Sequence, residues 1–387
     1  MPVTDHHFPS NADRRSLFGE SPESLAASAV EAGWPRRLGV QVLKWVWERG
    51  VLDPAAMTDL SVPQRNWLGE RFVGLEGLEV ASQQASDGTR KLLLGWPEAD
   101  HEDPSKRTEC VMIPADARRT ACISSQIGCP VGCRFCASGL GFDGNLPAGR
   151  IVEQVFRLGR LEGVGRISHV VFMGMGEPLA NLPAVTAAIR VLNAPWGAGI
   201  SARRITVSTV GVPSAIRRFA KFELPVNLAL SLHAPNDELR RRIIPWAEFA
   251  SIPEILDACS EWFDKSGREI TLEYLLLGGF NDRPEHAREL AAVAKRLRSN
   301  VNLIRWNEVK GMPFDRPGTE DVLHFQRILR ERGVNTHIRA SRGRDIAAAC
   351  GQLRHEQAAS PVRLGITASP RDAAPPGAAP GSPTPSA

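Results

Sequence analysis

The 387-residue chain lacks any apolar run approaching the eighteen or so residues that a membrane-crossing helix needs. It also lacks a basic start followed by an apolar stretch, so the opening MPVTDHHFPS matches no secretory signal. A cytoplasmic protein with no membrane association is the expectation. Charge of one sign is scarce as well: 47 basic against 43 acidic side chains leave a net charge of +4. That balance permits nucleic-acid binding without demanding it. Arg203-Arg204, Arg217-Arg218 and Arg240 to Arg242 are local basic clusters, and each taken alone reads first as a solvated helix or strand end. Cysteines are few and odd in number, seven in all with three inside eight residues. This disfavours a secreted disulfide scaffold and favours a reducing compartment where thiols bind metal or do chemistry. No internal repeat of fixed period is visible.

What is present divides the chain into successive parts. Residues 1–20 read as a flexible N-terminus and 21–75 as a small helical accessory domain. There SPESLAASAVEAG begins on a Ser-x-x-Ser start, and VQVLKWVWERG sets Val40, Leu43, Val46 and Trp47 on one face before stopping at Gly50. Residues 76–118 form a β-hairpin and strand extension, with Asp87-Gly88 as the turn signal. From 119 to 356 short apolar β runs alternate with amphipathic stretches, the mark of a parallel sheet with helical crossovers. The expected strands are 121–125, 169–174, 204–209, 226–232, 269–277 and 301–306, with a last β run at 335–340. The fold class is α/β, a partial (β/α)6 barrel behind the helical domain. Residues 357–387, rich in Pro, Ala and Gly, cannot bury enough apolar surface to fold and read as a disordered tail.

In a parallel barrel, ligands gather at the C-terminal ends of the strands. The stretch CPVGCRFC, with Cys129, Cys133 and Cys136, follows the first strand, and GMGEP, with Gly176 and Glu177, follows the second. The third ends at Ser208-Thr209, the fourth at Ser231-Leu232-His233 and the sixth at Asn307. Singly each has a bland reading: a turn, a strand-end cap, a satisfied histidine. Their common placement on one rim points to a shared site. Three thiols spaced Cys-x3-Cys-x2-Cys are one short of a tetrahedral zinc set, and no Cys or His partner pair follows at finger or ribbon distance. They suit an iron-sulfur cluster held by three thiolates with the fourth iron open.

On these residues the sequence resembles the radical S-adenosylmethionine superfamily. CISSQIGCPVGCRFCASG, VFMGMGEPLANL, ITVSTVGV, LALSLHAPNDELR, VNLIRWN and SRGRDIAAACGQL, in that order, resemble the motifs of the RlmN/Cfr family of radical RNA adenosine methyltransferases. The resemblance implies a 4Fe-4S cluster on Cys129, Cys133 and Cys136, whose open iron chelates S-adenosylmethionine and whose electron cleaves it to a 5'-deoxyadenosyl radical. It implies that Gly176 and Glu177 meet the methionyl amine. Ser208 and the segment Ser231, Leu232 and His233 would lie near the ribose and carboxylate, and Asn307 near the adenosine. Cys350 matches the cysteine that carries the methyl group as S-methylcysteine, Cys122 the thiol that frees it through a transient disulfide, and Glu109 the carboxylate that accepts the ring proton. Without the resemblance, Cys122 reads as a buried strand thiol and Glu109 as a surface charge; Cys110 and Cys259 match no motif and read as structural.

The implied activity is methylation of adenosine carbon 2 in 23S ribosomal RNA, with transfer RNA as a second substrate. The implied partners are RNA and an electron donor such as flavodoxin with its reductase, and the expected state is a monomer. Methylation at adenine carbon 8 shares every motif. A radical enzyme with a small-molecule substrate leaves Cys122, Glu109 and Cys350 unexplained, and a zinc-bearing RNA-binding protein is a further alternative. The chain departs from the family pattern at Gly144, Arg344, Arg305 and Glu308, which leaves the RNA contact surface and target nucleotide open.

Overall fold

The computed structural model describes residues 14–96 and 106–353. Ten strands form one sheet whose spatial order follows the chain order throughout. They are β1 (Leu78–Gln84), β2 (Arg90–Gly95), β3 (Arg107–Ala115), β4 (Arg118–Cys122), β5 (His169–Phe172), β6 (Ile205–Thr209), β7 (Asn227–Ser231), β8 (Ile270–Leu276), β9 (Ser299–Arg305) and β10 (Thr336–Arg339). Strands β1 to β4 are antiparallel neighbours, and from β4 onward every neighbouring pair is parallel. The hairpin is therefore an extension of the barrel sheet itself, and the last β run joins it as the outer strand. The first parallel strand sits at Arg118–Cys122, ahead of the expected 121–125. Ile123 continues the pairing only through isolated bonds to the Val171 carbonyl (3.0 Å) and from the Gly174 N–H (3.1 Å).

The central strands are buried on both faces, as crossover topology requires. In β7, Leu228, Ala229 and Leu230 are fully buried, and in β8 only Thr271 is not. The crossover helices carry legible boundaries. One spans Ile252–Ser266, starts on a Ser251–Glu254 capping box and stops at Gly267, whose φ of 65° is left-handed. Its buried stripe of Ile255, Leu256, Ala258, Cys259 and Trp262 makes Cys259 a core residue, and Cys110 on β3 is equally buried.

The helical accessory part packs into the same core. Its first helix, Pro22–Glu31, opens on the expected Ser-x-x-Ser start, Ser21 and Ser24 exchanging bonds of 2.8 and 3.2 Å. In the next helix, Arg37–Trp47, the buried face is Leu38, Val42, Leu43, Trp45 and Val46. Val40, expected on that face, is 45% exposed. It lies two residues from both Leu38 and Val42, on the far side of a helix whose faces repeat at three and four. The N-terminus expected to be flexible over 1–20 is packed where described: Leu17 and Phe18 are buried, and Phe18 meets Phe156 at 4.8 Å between ring centroids. Residues 1–13 of that segment and the expected tail at 357–387 lie outside the described residues. Among the described residues no helix is long and apolar enough to cross a membrane.

Candidate active site

The loop after β4 carries Cys129, Cys133 and Cys136, and close backbone approach shapes it. Gly128 has a φ of 73°, and a Cβ there would meet the Gly141 carbonyl at 2.0 Å. The Cys129 N–H donates to that same carbonyl (2.8 Å), and the Arg134 N–H donates to the Ile243 carbonyl (2.9 Å). The three thiols line a cavity of about 870 Å³ of empty space, part of it open to solvent. Gly176, Glu177, Ser208, Ser231, His233 and Cys350 line it too. The strand ends converge as the rim argument requires.

Each wall residue is held. Gly176 has a φ of 106°, and a Cβ there would come within 2.8 Å of both Gln126 and Ser125. The buried Glu177 accepts from the Leu179 N–H (3.0 Å) and the Val210 N–H (2.8 Å). Burial raises its pKa, opposed by those N–H groups and the Thr209 hydroxyl. A carboxylate has about four acceptor sites, so capacity remains for a ligand's ammonium. The Ser208 and Ser231 hydroxyls share a bond of 3.1 Å. His233 has a φ of 57° and accepts at Nδ1 from the Leu275 N–H (3.1 Å), which places its own proton on Nε2. Burial, and then Arg240, push its pKa down to about 3, so the ring is a neutral donor. Leu232, expected beside the ribose, does not line the cavity; its side chain is fully buried in the main core. Strand alternation turns it away from its neighbours.

The donor set tests the implied cluster. Among the described residues no three His, Cys, Asp or Glu side chains converge tightly enough to hold a single metal ion. A four-iron cluster puts each thiolate on its own iron, so three thiols spread around one cavity fit it where a mononuclear zinc site would not. Burial pushes Cys129 up to about 12 and raises both Cys133 and Cys136. Thiols in such surroundings ionise when a cation takes their charge, which bound iron provides.

A second cavity adjoins the first, and Cys350 lines both. Cys122, Met173, Asn307, Arg339 and Leu353 are among its walls. Cys122 and Cys350, 228 positions apart in the numbering, thus face one space as free thiols. The buried Asn307 has its Oδ1 bonded to Arg316 Nη1 (2.9 Å). The Cys350 segment is tied on both flanks. Toward the cysteine loop, the Ala137 N–H donates to the Gly351 carbonyl (2.8 Å) and the Ser138 hydroxyl to the Leu353 carbonyl (2.7 Å). Toward the β1–β2 hairpin, the Ser86 N–H donates to Asp345 (2.8 Å) and the Gly343 N–H to Asp87 (3.0 Å).

Glu109 on β3 is buried rather than on the surface, and lines neither cavity. Its Oε1 pairs with Lys91 Nζ at 2.9 Å, with side-chain exposures of only 3% and 6%. Lys91 also donates to the Ala347 carbonyl (3.3 Å), three residues before Cys350.

Sequence reasoning missed Lys91, Arg240, Glu273 and Arg339. Arg240, grouped with solvated clusters, is fully buried and donates to the Leu232 and Val210 carbonyls. Arg339 lines both cavities at the C-terminal end of β10; the strand-end test, applied to the first six strands, would have found it on the seventh. Glu273 lines the first cavity, and its signal is a carboxylate inside the apolar run EITLEYLLL. Of the departures, Arg305 binds the Pro317 carbonyl (2.8 Å) and the Thr319 hydroxyl (3.1 Å), and the Glu308 carbonyl accepts from Gln352 (2.9 Å). Both therefore serve the loop architecture around the site.

The chain matches the radical SAM superfamily model over residues 123–291. A relative from Gloeobacter violaceus named "Probable dual-specificity RNA methyltransferase RlmN" is 46% identical over 87% of this chain and 94% of its own length. One of the same name from Rhodopirellula baltica is 44% identical over 92% and 95%. The crystal structure of a radical SAM methyltransferase from Sphaerobacter thermophilus superposes with a TM-score of 0.84 at 38% identity, over 88% of this chain and 99% of that one.

Proposed function

The chain belongs to the RlmN family of radical S-adenosylmethionine RNA methyltransferases, which use a 4Fe-4S cluster and S-adenosylmethionine, and we propose that it methylates carbon 2 of an adenosine. The proposed substrate is 23S ribosomal RNA, with transfer RNA as a second one; the dual-specificity name of the relatives supports two RNA classes. The observation that carries this reading is the position of Cys350 between the cavity of the three cysteines and the cavity of Cys122. A methyl carrier needs access to a radical source on one side and to a releasing thiol on the other.

Bound against Cys129, Cys133 and Cys136, the cluster supplies the electron that makes S-adenosylmethionine a source of the 5'-deoxyadenosyl radical. Glu177, Ser208, Ser231 and His233 bind and orient the methionyl and ribose groups. Cys350, as a thiolate, takes a methyl group from one S-adenosylmethionine and releases S-adenosylhomocysteine. That methyl group then loses a hydrogen atom to the 5'-deoxyadenosyl radical made from a second, which leaves a carbon radical bonded to the Cys350 sulfur. That radical adds to the electron-poor ring carbon, and the one electron the adduct gives up would return to the oxidised cluster held by Cys129, Cys133 and Cys136. Glu109 accepts the ring proton, and its burial beside Lys91 calls for local opening to bring the carboxylate to the ring. Cys122 then attacks the Cys350 sulfur. The sulfur–carbon bond breaks with its electron pair going to carbon, which takes a proton and becomes the product methyl group. An external dithiol reduces the disulfide left behind, and is itself oxidised to a disulfide, before the next cycle.

Mass spectrometry of ribosomal and transfer RNA nucleosides, from cells with and without the gene, tests the proposal. Loss of 2-methyladenosine on deletion is expected; loss of 8-methyladenosine in its place would overturn the carbon assignment.

A further inference from the structure

Cys133 has a second exposure. Besides the active-site cavity it lines a groove on the protein surface, formed by the cysteine loop, the helix Asp237–Ile243 and the loops after β8 and β9. Of the described residues around this groove, Cys133 alone also lines the active-site cavity, and none lines the cavity of Cys122. The groove is therefore a second approach to the cluster ligands, separate from the space that S-adenosylmethionine and the adenine must fill.

Its walls are apolar and its rim is basic. Phe280 and Phe314 meet edge to face with centroids 6.0 Å apart, and Leu140 is 57% exposed. Arg242 lies over the Phe280 ring at 4.7 Å, Arg134 is exposed beside Cys133, and the exposed Lys310 precedes Gly311 on the edge. Asp315 is the acidic member of the lining. The groove is held from behind: Trp306 meets Phe314 with centroids 6.0 Å apart and donates its indole N–H to the Phe135 carbonyl (3.1 Å), and a Cβ on Gly139 would come within 2.9 Å of the Cys133 nitrogen. A small apolar centre within a cationic rim matches a transient partner with an acidic face, because opposite charge speeds encounter while little area keeps the complex brief.

We infer that this groove is the docking surface for an acidic electron-donor protein, with Cys133 as the point nearest the partner's redox group. One electron leaves the donor's reduced cofactor, which is thereby oxidised, and reaches the cluster behind Cys133, which is reduced. The inference rests on the proposed one-electron cleavage of S-adenosylmethionine and not on which adenine carbon receives the methyl group.

The test uses the cluster-loaded enzyme, its Arg242→Glu/Lys310→Glu variant, and as probe a flavodoxin with its NADPH-dependent reductase. Calorimetric titration at low salt should show flavodoxin binding weakened about tenfold or more by the two reversals, with the difference shrinking as salt is added. Deoxyadenosine formation driven by flavodoxin should fall in parallel, whereas formation driven by dithionite, and the affinity for an RNA fragment, should not change. Unchanged flavodoxin binding in the variant would overturn the inference. So would weakened RNA binding with flavodoxin binding intact, which would assign the groove to RNA. Wild-type enzyme that bound flavodoxin through these residues yet cleaved no S-adenosylmethionine with dithionite would instead defeat the reading of the active site.

Discussion

The two cavities that meet at Cys350 are built on different principles. The first is lined at strand ends: Ser208 and Thr209 close β6, Ser231 closes β7, and Glu177 follows β5. Its residues are where parallel β/α topology sends any ligand-binding group. The second joins Cys122 at the end of β4 to a segment 228 positions further on, held there by hairpin and cysteine loop. No local rule places Cys350. A cofactor site can thus be inherited from a fold, while a cavity faced by two thiols so far apart in the chain must be assembled by long-range contacts.

The largest expected effect falls at the junction. Cys350→Ala should cut methylation by about 10³-fold or more, as loss of a covalent nucleophile does, while iron content by colorimetric assay stays at the wild-type level. Normal methylation in that variant would sink the two-thiol mechanism. Cys122→Ala acts only in the second cavity. It should stop after about one turnover, with RNA covalently attached to the protein on a denaturing gel; free methylated RNA released at the wild-type rate would remove Cys122 from the release step.

Lys91 tests whether the hairpin flank supports the second cavity. Lys91→Met removes one partner of a buried pair, and denaturant unfolding should show a loss of about 3–5 kcal/mol. Lys91→Met/Glu109→Gln should recover much of that stability and little of the methylation; full recovery of both would detach the pair from catalysis. Gly176→Ala strains the first cavity alone, since its φ of 106° and a 2.7 Å approach to Gln126 leave no room for a methyl group. A cost of about 1–3 kcal/mol should appear as weaker S-adenosylmethionine binding in equilibrium dialysis, with Cys122 chemistry unaffected.

The smallest effect concerns pH. Burial, with Cys350 nearby, pushes the Cys122 thiol up to about 12, against the pull of Arg339. A raised thiol pKa leaves the neutral form dominant well above neutrality, so the attacking thiolate grows about tenfold per unit as pH rises from 7 toward 9. Release of the RNA adduct, followed by quench at several pH values, should accelerate accordingly. A flat profile would mean that another step limits release.

Strand positions other than that of the first parallel strand, the capping box at Ser21, the turn at Asp87-Gly88 and the rim from Cys129 to Ser231 were legible in the sequence, because each depends on spacing along a few residues. Val40 was misplaced, and the Leu232 side chain turns away from the cavity that Ser231 and His233 line, where one position of phase decides which way a side chain points. Arg240 was read as a solvated charge, Glu109 as a surface one wherever the resemblance was set aside, and Lys91 went unnoticed, since burial of a charge depends on what folds over it.

By itself, then, the sequence determined the β/α order, the ligand-bearing strand ends and, through ordered motifs, the family. These follow from local periodicity and from residue types that chemistry constrains. Only the tertiary structure decided that the hairpin is part of the barrel sheet, that Lys91 ties Glu109 to the Cys350 segment, and that Cys133 opens on a second face. Those facts depend on contacts between residues far apart in the chain, whose closure entropy is repaid only when the whole core forms.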